Sequence, residues 1–352
     1  MYPRLIIDTK KYRHNVITLK TLLNQFELSI MAVTKVFCAD SRLIQVLNDS
    51  RVDYIADSRI DNLKIIDTTK PKVLLRLVSL SEVEDVVKYA NISLNSELKV
   101  IEALNEKARD YNTVHKIILM IDIGDLREGV YYKENVLEIC AVIETLSHID
   151  LIGLGTNLTC YGGIIPTEET LNKFVAIVDS VEKHLNKKLQ LITGGNSSHL
   201  HLLYEGKKIA KINNLRLGES LILGRETAYG EPLTSLHQDV IVLEAEVIEL
   251  KYKPSIPEGA IGMNAFGNRP LFNDVGRMLR AIVAIGRQDV NYLELIPEDD
   301  SIQLVGSSSD HIILDLTNTK TEYQVGDIIR FKLTYGSVLS LMTSRYVRRY
   351  YV

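Results

Sequence analysis

Lys35 closes the apolar run "MAVTK", and a lysine at such a strand end can serve as a nucleophilic amine toward a carbonyl group. The ordinary alternative is a stem lying along the strand with its head in solvent. Other polar residues follow apolar runs in the same way. Arg127 follows "KIILMIDIGD", Asn157 follows "LIGLGT", Asn196 and Ser197 follow "LQLITGG", and Arg216 stands with Gly218 in "RLGES". A guanidinium fork suits a carboxylate or a phosphate, and amides and hydroxyls donate to oxygen acceptors. One polar residue at a strand end carries little information. Several at one rim would make a site.

The elements needed to build such a rim are visible. From residue 29 to about 224, eight short apolar runs alternate with amphipathic ones. The runs are "SIMAVTK", "VDYIA", "KVLLRLV", "ANISL", "KIILMID", "LIGLGTN", "LQLITGG" and "NNLRLGESLILG". Near-continuous apolar strands suit a parallel sheet buried on both faces. In "TEETLNKFVAIVDSVEKHL", Leu171, Phe174, Val175, Val178, Val181 and Leu185 follow helical spacing. Ser58 with Asp61, and Ser81 with Glu84, have capping-box spacing. Eight such units predict an α/β fold, a closed (β/α)8 barrel, whose active sites form at the carboxyl ends of the strands. No GxGxxG points instead to a doubly wound dinucleotide fold.

Beyond residue 235 the texture changes. "DVIVLEAEVIELKY", "RMLRAIVAIGRQDV", "SIQLVGSSSDHIILDLT" and "GDIIRFKLTYG" are β-rich, with Pro, Gly and Asn between them. The expected division is a barrel over 1–235 and a C-terminal β-rich domain over 236–352. The 352 residues are 46% hydrophobic and 24% charged, ordinary for a globular protein, with a net charge of −4. That charge, without a basic stripe, argues against nucleic acid or an anionic membrane surface as partner. No apolar run reaches membrane-spanning length. Cys38, Cys140 and Cys160 are odd in number and widely spaced, which fits reduced thiols in a cytoplasm. No CxxC, HExxH or histidine cluster suggests a metal.

These landmarks, with the opening "LIIDTKKYRHNV" and the closing "LTYGSVLSLMTSRYVRRYY", resemble the alanine racemase family of fold-type III pyridoxal phosphate enzymes. "TKVFCAD", "DLREGV", "GGNSSHL", "AIGRQDV" and "SSSDHIILD" look closest to its ornithine racemase branch. The resemblance implies a coenzyme-dependent amino-acid racemase. Lys35 then matches the Schiff-base lysine. Gly218 and Glu219 through their main-chain N–H groups, the Ser197 hydroxyl and Tyr335 match the phosphate cup. Arg216 matches the partner of the pyridine nitrogen, and Arg127 the arginine near the cofactor hydroxyl. Asn157 stands where many members carry a histidine against the ring, and Asn196 belongs to the same cofactor-binding set.

An arginine at the ring nitrogen cannot accept its proton, so the ring stays a weak electron sink. That favours racemisation over decarboxylation, because basic amino-acid decarboxylases of this fold carry a carboxylate there. The pattern breaks at the second base. The family's tyrosine is replaced by Met263 and Asn264, neither of them a base. Asp310 and His311 are the local candidates, against a reading as turn cap and surface imidazole. A distal ammonium of ornithine would need an acceptor such as Asp289, Asp310 or Glu128. Each is also a plausible paired or solvated carboxylate, as Arg127 could simply pair with Asp125 or Glu128 and Arg216 with a rim carboxylate. The family's β domain completes the active site of a partner subunit, so a homodimer is implied. Alanine as the substrate, a decarboxylase, and a non-catalytic cofactor-binding protein are the competing readings.

Overall fold

Eight parallel strands close into a ring within residues 9–238 of the computed structural model, which describes all of residues 1–352. In chain order they are Ser29–Val33, Tyr54–Asp57, Lys72–Leu74, Ile92–Asn95, His115–Asp122, Ile149–Gly155, Leu191–Thr193 and Asn214–Leu217. Each pairs with its successor, and the eighth returns to the first in register from Asn214 opposite Ser29 to Leu217 opposite Ala32. This is the (β/α)8 barrel that the alternating runs predict. The helix Thr9–Gln25 precedes the first strand, and helices such as Ser41–Asn48, Leu98–Asp110 and Glu168–Leu185 fill the crossovers. No helix of the chain is long and apolar enough to cross a membrane.

The barrel interior is a packed core. Met31, Val33, Ala56, Val73, Leu94, Ile118, Met120, Ile152 and Leu191 form one buried cluster. The alternate residues Ile30 and Ala32 are also fully buried, as expected for strands with covered outer faces. Each fully buried aliphatic side chain of this kind contributes about 1.5–3 kcal/mol. Packing is tight enough to require glycine in the sixth strand. A Cβ on Gly155 would lie 2.7 Å from Met120 Sδ and 2.8 Å from Thr193 Cγ2.

Two local expectations fail for physical reasons. The run "NNLRLGESLILG" is strand only through Leu217; Gly218 then starts a short helix, Glu219–Leu223. An apolar run buried all round fits either state equally well. The two capping boxes do not form. Arg59 and Glu82 precede the helices Ile60–Ile65 and Val83–Tyr89 with no side-chain cap, and Ser79 bonds Glu82 instead. The long helix Glu168–Leu185 forms where the helical spacing places it, started by the Thr167 hydroxyl accepting from the Thr170 N–H.

The second unit comprises residues 1–8 and 239–352. Its antiparallel sheet runs Leu295–Pro297, Ile328–Leu333, Ile241–Pro254, Arg277–Val283, Ile312–Asp315, Gln303–Ser307. The N-terminal strand Arg4–Ile7 pairs antiparallel with Ile241–Glu244 and parallel with Arg348–Tyr351. So the chain's opening strand lies with the β-rich unit, where a division at 235 would have put it in the barrel. Pairing between distant segments leaves no local trace in the sequence. The helix Tyr335–Thr343 closes this unit, started by a capping box between Thr334 and Ser337.

Candidate active site

Arg216 is the best-defined member of the barrel rim. It lies on the eighth strand opposite Met31, a residue of the interior cluster, and is 5% exposed. Its guanidinium donates to Thr193 Oγ1 at 2.5 Å, to the Thr156 carbonyl at 2.7 Å and to Asn157 Oδ1 at 3.2 Å. All three acceptors are neutral, so the expected alternative of a rim salt bridge is not what the structure forms. Burial pushes its pKa down to about 10, with Arg127 adding to that and Glu128 opposing it. Arg216 therefore stays a cation at neutral pH.

Asn157 and Asn196 extend this cluster. Asn157 Oδ1 accepts from Asn196 Nδ2 at 3.1 Å, and Asn157 Nδ2 points to Cys160 Sγ at 3.1 Å. Asn196 also donates to the Leu158 carbonyl at 2.9 Å, while its Oδ1 caps Ser198 N–H at 2.8 Å. The loops after the sixth and seventh strands are thereby locked together beneath Arg216. Beside them the Ser197 hydroxyl donates to Ser220 Oγ at 3.0 Å and accepts from the Ser220 N–H. Gly218 packs close to the first strand, where a Cβ would come within 3.1 Å of Val33 Cβ. Glu219 opens the helix, in which the Leu221 N–H donates to the Gly218 carbonyl at 3.1 Å. The Glu219 carboxylate is held by Arg225 at 2.7 Å.

Lys35 follows Val33 and Thr34 at the end of the first strand and is half-buried. Thr34 is fully buried. Its hydroxyl donates to Asp57 Oδ2 at 2.5 Å, and its carbonyl accepts from the Phe37 and Ala39 N–H groups. Asp57, also fully buried, accepts from the Arg59 N–H at 2.8 Å and from Asn62 Nδ2 at 3.0 Å. Burial raises its pKa against the pull of these bonds.

Arg127 is exposed and makes a bidentate pair with its neighbour Glu128, one of the two ordinary partners the sequence offers. Partial burial of the guanidinium opposes its charge, and Glu128 with the nearby Cys160 and Asp125 together more than offset that, so its pKa lies above the usual value. Glu128 is thereby committed to Arg127, which weakens it as an acceptor for a distal ammonium. Asp125 takes a different part. Its buried carboxylate accepts from the Cys160, Tyr161 and Ile164 N–H groups at 3.3, 2.9 and 3.2 Å. Asp122 similarly accepts from the Gly124 and Leu126 N–H groups and shapes the loop that carries Arg127. Thr34, Asp57, Asp122 and Thr193 are thus site-building residues that the sequence did not point to, and Asp125 and Cys160, expected only as an ion-pair partner and a reduced thiol, shape the loop instead. The short "DIG" step offered a turn signal for Asp122 alone.

Residues 7–226 match the family described as the alanine racemase N-terminal domain. The chain belongs to the alanine racemase family. Within it, the chain is 45% identical to an ornithine racemase of Acetoanaerobium sticklandii over 350 residues, covering 99% of both. It is 37% identical to a lysine racemase of Thermotoga maritima over 354 residues, covering 100% of this chain and 99% of that one. A solved alanine racemase from Bartonella henselae with covalently bound pyridoxal phosphate superposes with a TM-score of 0.77 at 17% identity, covering 100% of each chain. At that identity the likeness speaks for the fold.

The remaining residues expected from the alanine racemase resemblance lie in the β-rich unit. Asp310 and His311 turn the hairpin between Gln303–Ser307 and Ile312–Asp315, closed by Ser308 N–H to the His311 carbonyl at 2.8 Å. Asp310 is exposed; His311 is half-buried, with Nδ1 3.4 Å from Ser308 Oγ. Asp289 accepts from the Ser344 hydroxyl at 2.6 Å. Met263 and Asn264 sit in an exposed loop in which Asn264 Oδ1 caps the Phe266 and Asn268 N–H groups. Tyr335 begins the closing helix.

Proposed function

We propose that this chain is a cytoplasmic, homodimeric, pyridoxal phosphate-dependent racemase that interconverts L- and D-ornithine, with lysine as the nearest alternative substrate. Two relatives, 45% and 37% identical and named an ornithine and a lysine racemase, support a basic amino acid over alanine. The observation that carries the chemistry is Arg216, a buried cation bonded only to neutral acceptors.

The donor set fits the coenzyme. Lys35 supplies an amine for its aldehyde. Ser197, the main-chain N–H groups of Gly218 and Glu219, and Tyr335 suit its phosphate. Arg216 suits its ring nitrogen, and Arg127, Asn157 and Asn196 its hydroxyl side. Two buried hydroxyls in these same loops, on Thr156 and Ser198, lack any partner within the chain, as expected of groups that wait for a ligand.

When bound, the coenzyme draws electrons from the substrate's Cα and makes its proton labile. Arg216 has donors and no acceptor, so a ring nitrogen held by it would stay unprotonated, which would limit that withdrawal. A proton removed from Cα then returns promptly, and loss of the carboxylate is disfavoured. Lys35 removes or returns the proton on one face. Asp310 and His311 of a second copy are our candidates for the other face, since Met263 and Asn264 carry no base. Arg127, fixed by Glu128, suits the substrate carboxylate.

The test uses purified protein supplied with the coenzyme. A visible band is expected, and borohydride should bleach it while leaving the coenzyme permanently attached to Lys35. L-Ornithine in deuterated water should then gain deuterium at Cα and lose optical activity, with no carbon dioxide released. Faster turnover of L-alanine than of L-ornithine overturns the substrate assignment. Released carbon dioxide, or retained configuration without exchange, overturns the racemase.

A further inference from the structure

Asp57 presents a physical problem. Its carboxylate is fully buried and forms no salt bridge; its partners are the Thr34 hydroxyl, the Arg59 main-chain N–H and the Asn62 amide. Removing an unpaired carboxylate from water costs free energy, and asparagine would satisfy much of the same geometry without that cost. The acid ends the second barrel strand, and the hydroxyl it binds belongs to the residue just before Lys35.

Thr34 in turn fixes the backbone on both sides of that lysine. Its N–H donates to the Ala56 carbonyl at 2.8 Å, and its carbonyl accepts from Phe37 at 3.1 Å and from Ala39 at 3.4 Å. Lys35 starts a single turn of 3-10 helix that ends at Phe37, after which Cys38 and Ala39 both adopt φ of +52°. Two successive non-glycine residues in the left-handed region are costly, and such a turn persists only when its surroundings over-determine it. The Thr34 hydroxyl also lies 3.2 Å from the Ala56 carbonyl, so it can rotate between that acceptor and Asp57.

We propose that Asp57 is a positioning residue, which acts through the Thr34 hydroxyl to set the place of the Lys35 amine at the barrel mouth. This rests on the reading of Lys35 as the coenzyme-bearing lysine. Asp57 itself touches neither coenzyme nor substrate. It holds the strand-to-turn corner from which the lysine reaches them.

Three variants of the full-length, coenzyme-loaded protein test this: Thr34→Val, Thr34→Ser and Asp57→Asn. Valine keeps the shape of threonine and removes the hydroxyl. Loss of one buried, charge-assisted hydrogen bond should weaken pyridoxal phosphate binding and lower kcat by about tenfold each, with KM for the amino acid within about twofold. The fraction of Lys35 trapped by borohydride at limiting coenzyme should fall with the binding. Thr34→Ser, which keeps the hydroxyl, should recover most of the loss, and Asp57→Asn, which keeps a polar partner for that hydroxyl but not its charge, should fall between wild type and Thr34→Val. Wild-type coenzyme affinity and kcat in Thr34→Val overturn the role. So does a serine variant as impaired as the valine one, because the methyl packing would then be the cause. Wild-type protein that takes up no coenzyme overturns the functional reading itself, and this role with it; uptake by wild type with unaffected variants removes the positioning role alone.

Discussion

Replacing Asp125 with alanine should loosen one corner of the site and measurably destabilise the barrel. The carboxylate is 1% exposed and accepts three main-chain N–H groups of the loop after the sixth strand. An N–H bond to a charged acceptor contributes about 1.5–3 kcal/mol at good geometry. Only the Tyr161 bond, at 2.9 Å, is of that quality; the 3.2 and 3.3 Å bonds are long. Counting about 2 kcal/mol for the short bond and about 0.5 kcal/mol for each long one gives about 3 kcal/mol. The loop from Cys160 to Ile164 is exposed, so water satisfies part of what is lost, and about 2–3 kcal/mol should remain. For a unit of this size that is a fall in Tm of about 5–10 °C, read by circular dichroism. Asp125→Asn keeps one acceptor oxygen and should cost about half as much. Coenzyme affinity should fall in both, because the same loop places Asn157 against Arg216. An Asp125→Ala protein that melts within about 1 °C of wild type would refute the clamp, since no arrangement of three lost bonds is that small.

Arg216→Met should cut kcat by at least about a hundredfold, the usual scale for losing a preorganised donor at a reacting group, while a coupled optical assay finds KM little changed. Gly155→Ala forces a methyl against Met120 and Thr193. It should destabilise by about 1–3 kcal/mol in urea unfolding and, by moving Thr193 under Arg216, reduce coenzyme affinity. Stability should also fall in acid. Burial lowers both His115 and His199 to about 4 from the ordinary 6.5, so the unfolded chain binds more protons between those values. Their contribution is present above pH 6.5 and is lost as pH falls toward 4, at about 3 kcal/mol for each histidine. Urea titrations at stepped pH should show that slope, and His115→Gln should remove about half of it.

Much of the barrel could be read in the sequence because its strands are continuous apolar runs and its rim residues follow them directly. Lys35 and Arg216 stand out for that reason: a cation after, or within, an apolar strand needs a cause. The residues that were missed act across the chain. Asp125 bonds main-chain groups more than thirty positions away, and Asp57 reaches back to Thr34. A carboxylate that accepts from N–H groups looks in sequence like any loop acid, and only the folded loop shows what it holds. Glu128 shows the opposite case, a candidate for the substrate amine that the structure pairs with the adjacent Arg127. The capping spacings at Ser58 and Ser81 misled because a serine three residues before an acid caps only if the backbone there is free to start the helix.

The opening strand has a consequence for how the chain is made. Arg4–Ile7 is synthesised before the barrel, yet its neighbours Ile241–Glu244 and Arg348–Tyr351 come after it. During translation it must wait, unpaired and with three of its four residues apolar, while the whole barrel emerges and folds as a closed insert between the two parts of its own sheet. Nascent chains stalled before Ile241–Glu244 has emerged should therefore carry an unpaired apolar strand ahead of an otherwise finished barrel, and be the species that ribosome-associated chaperones retain.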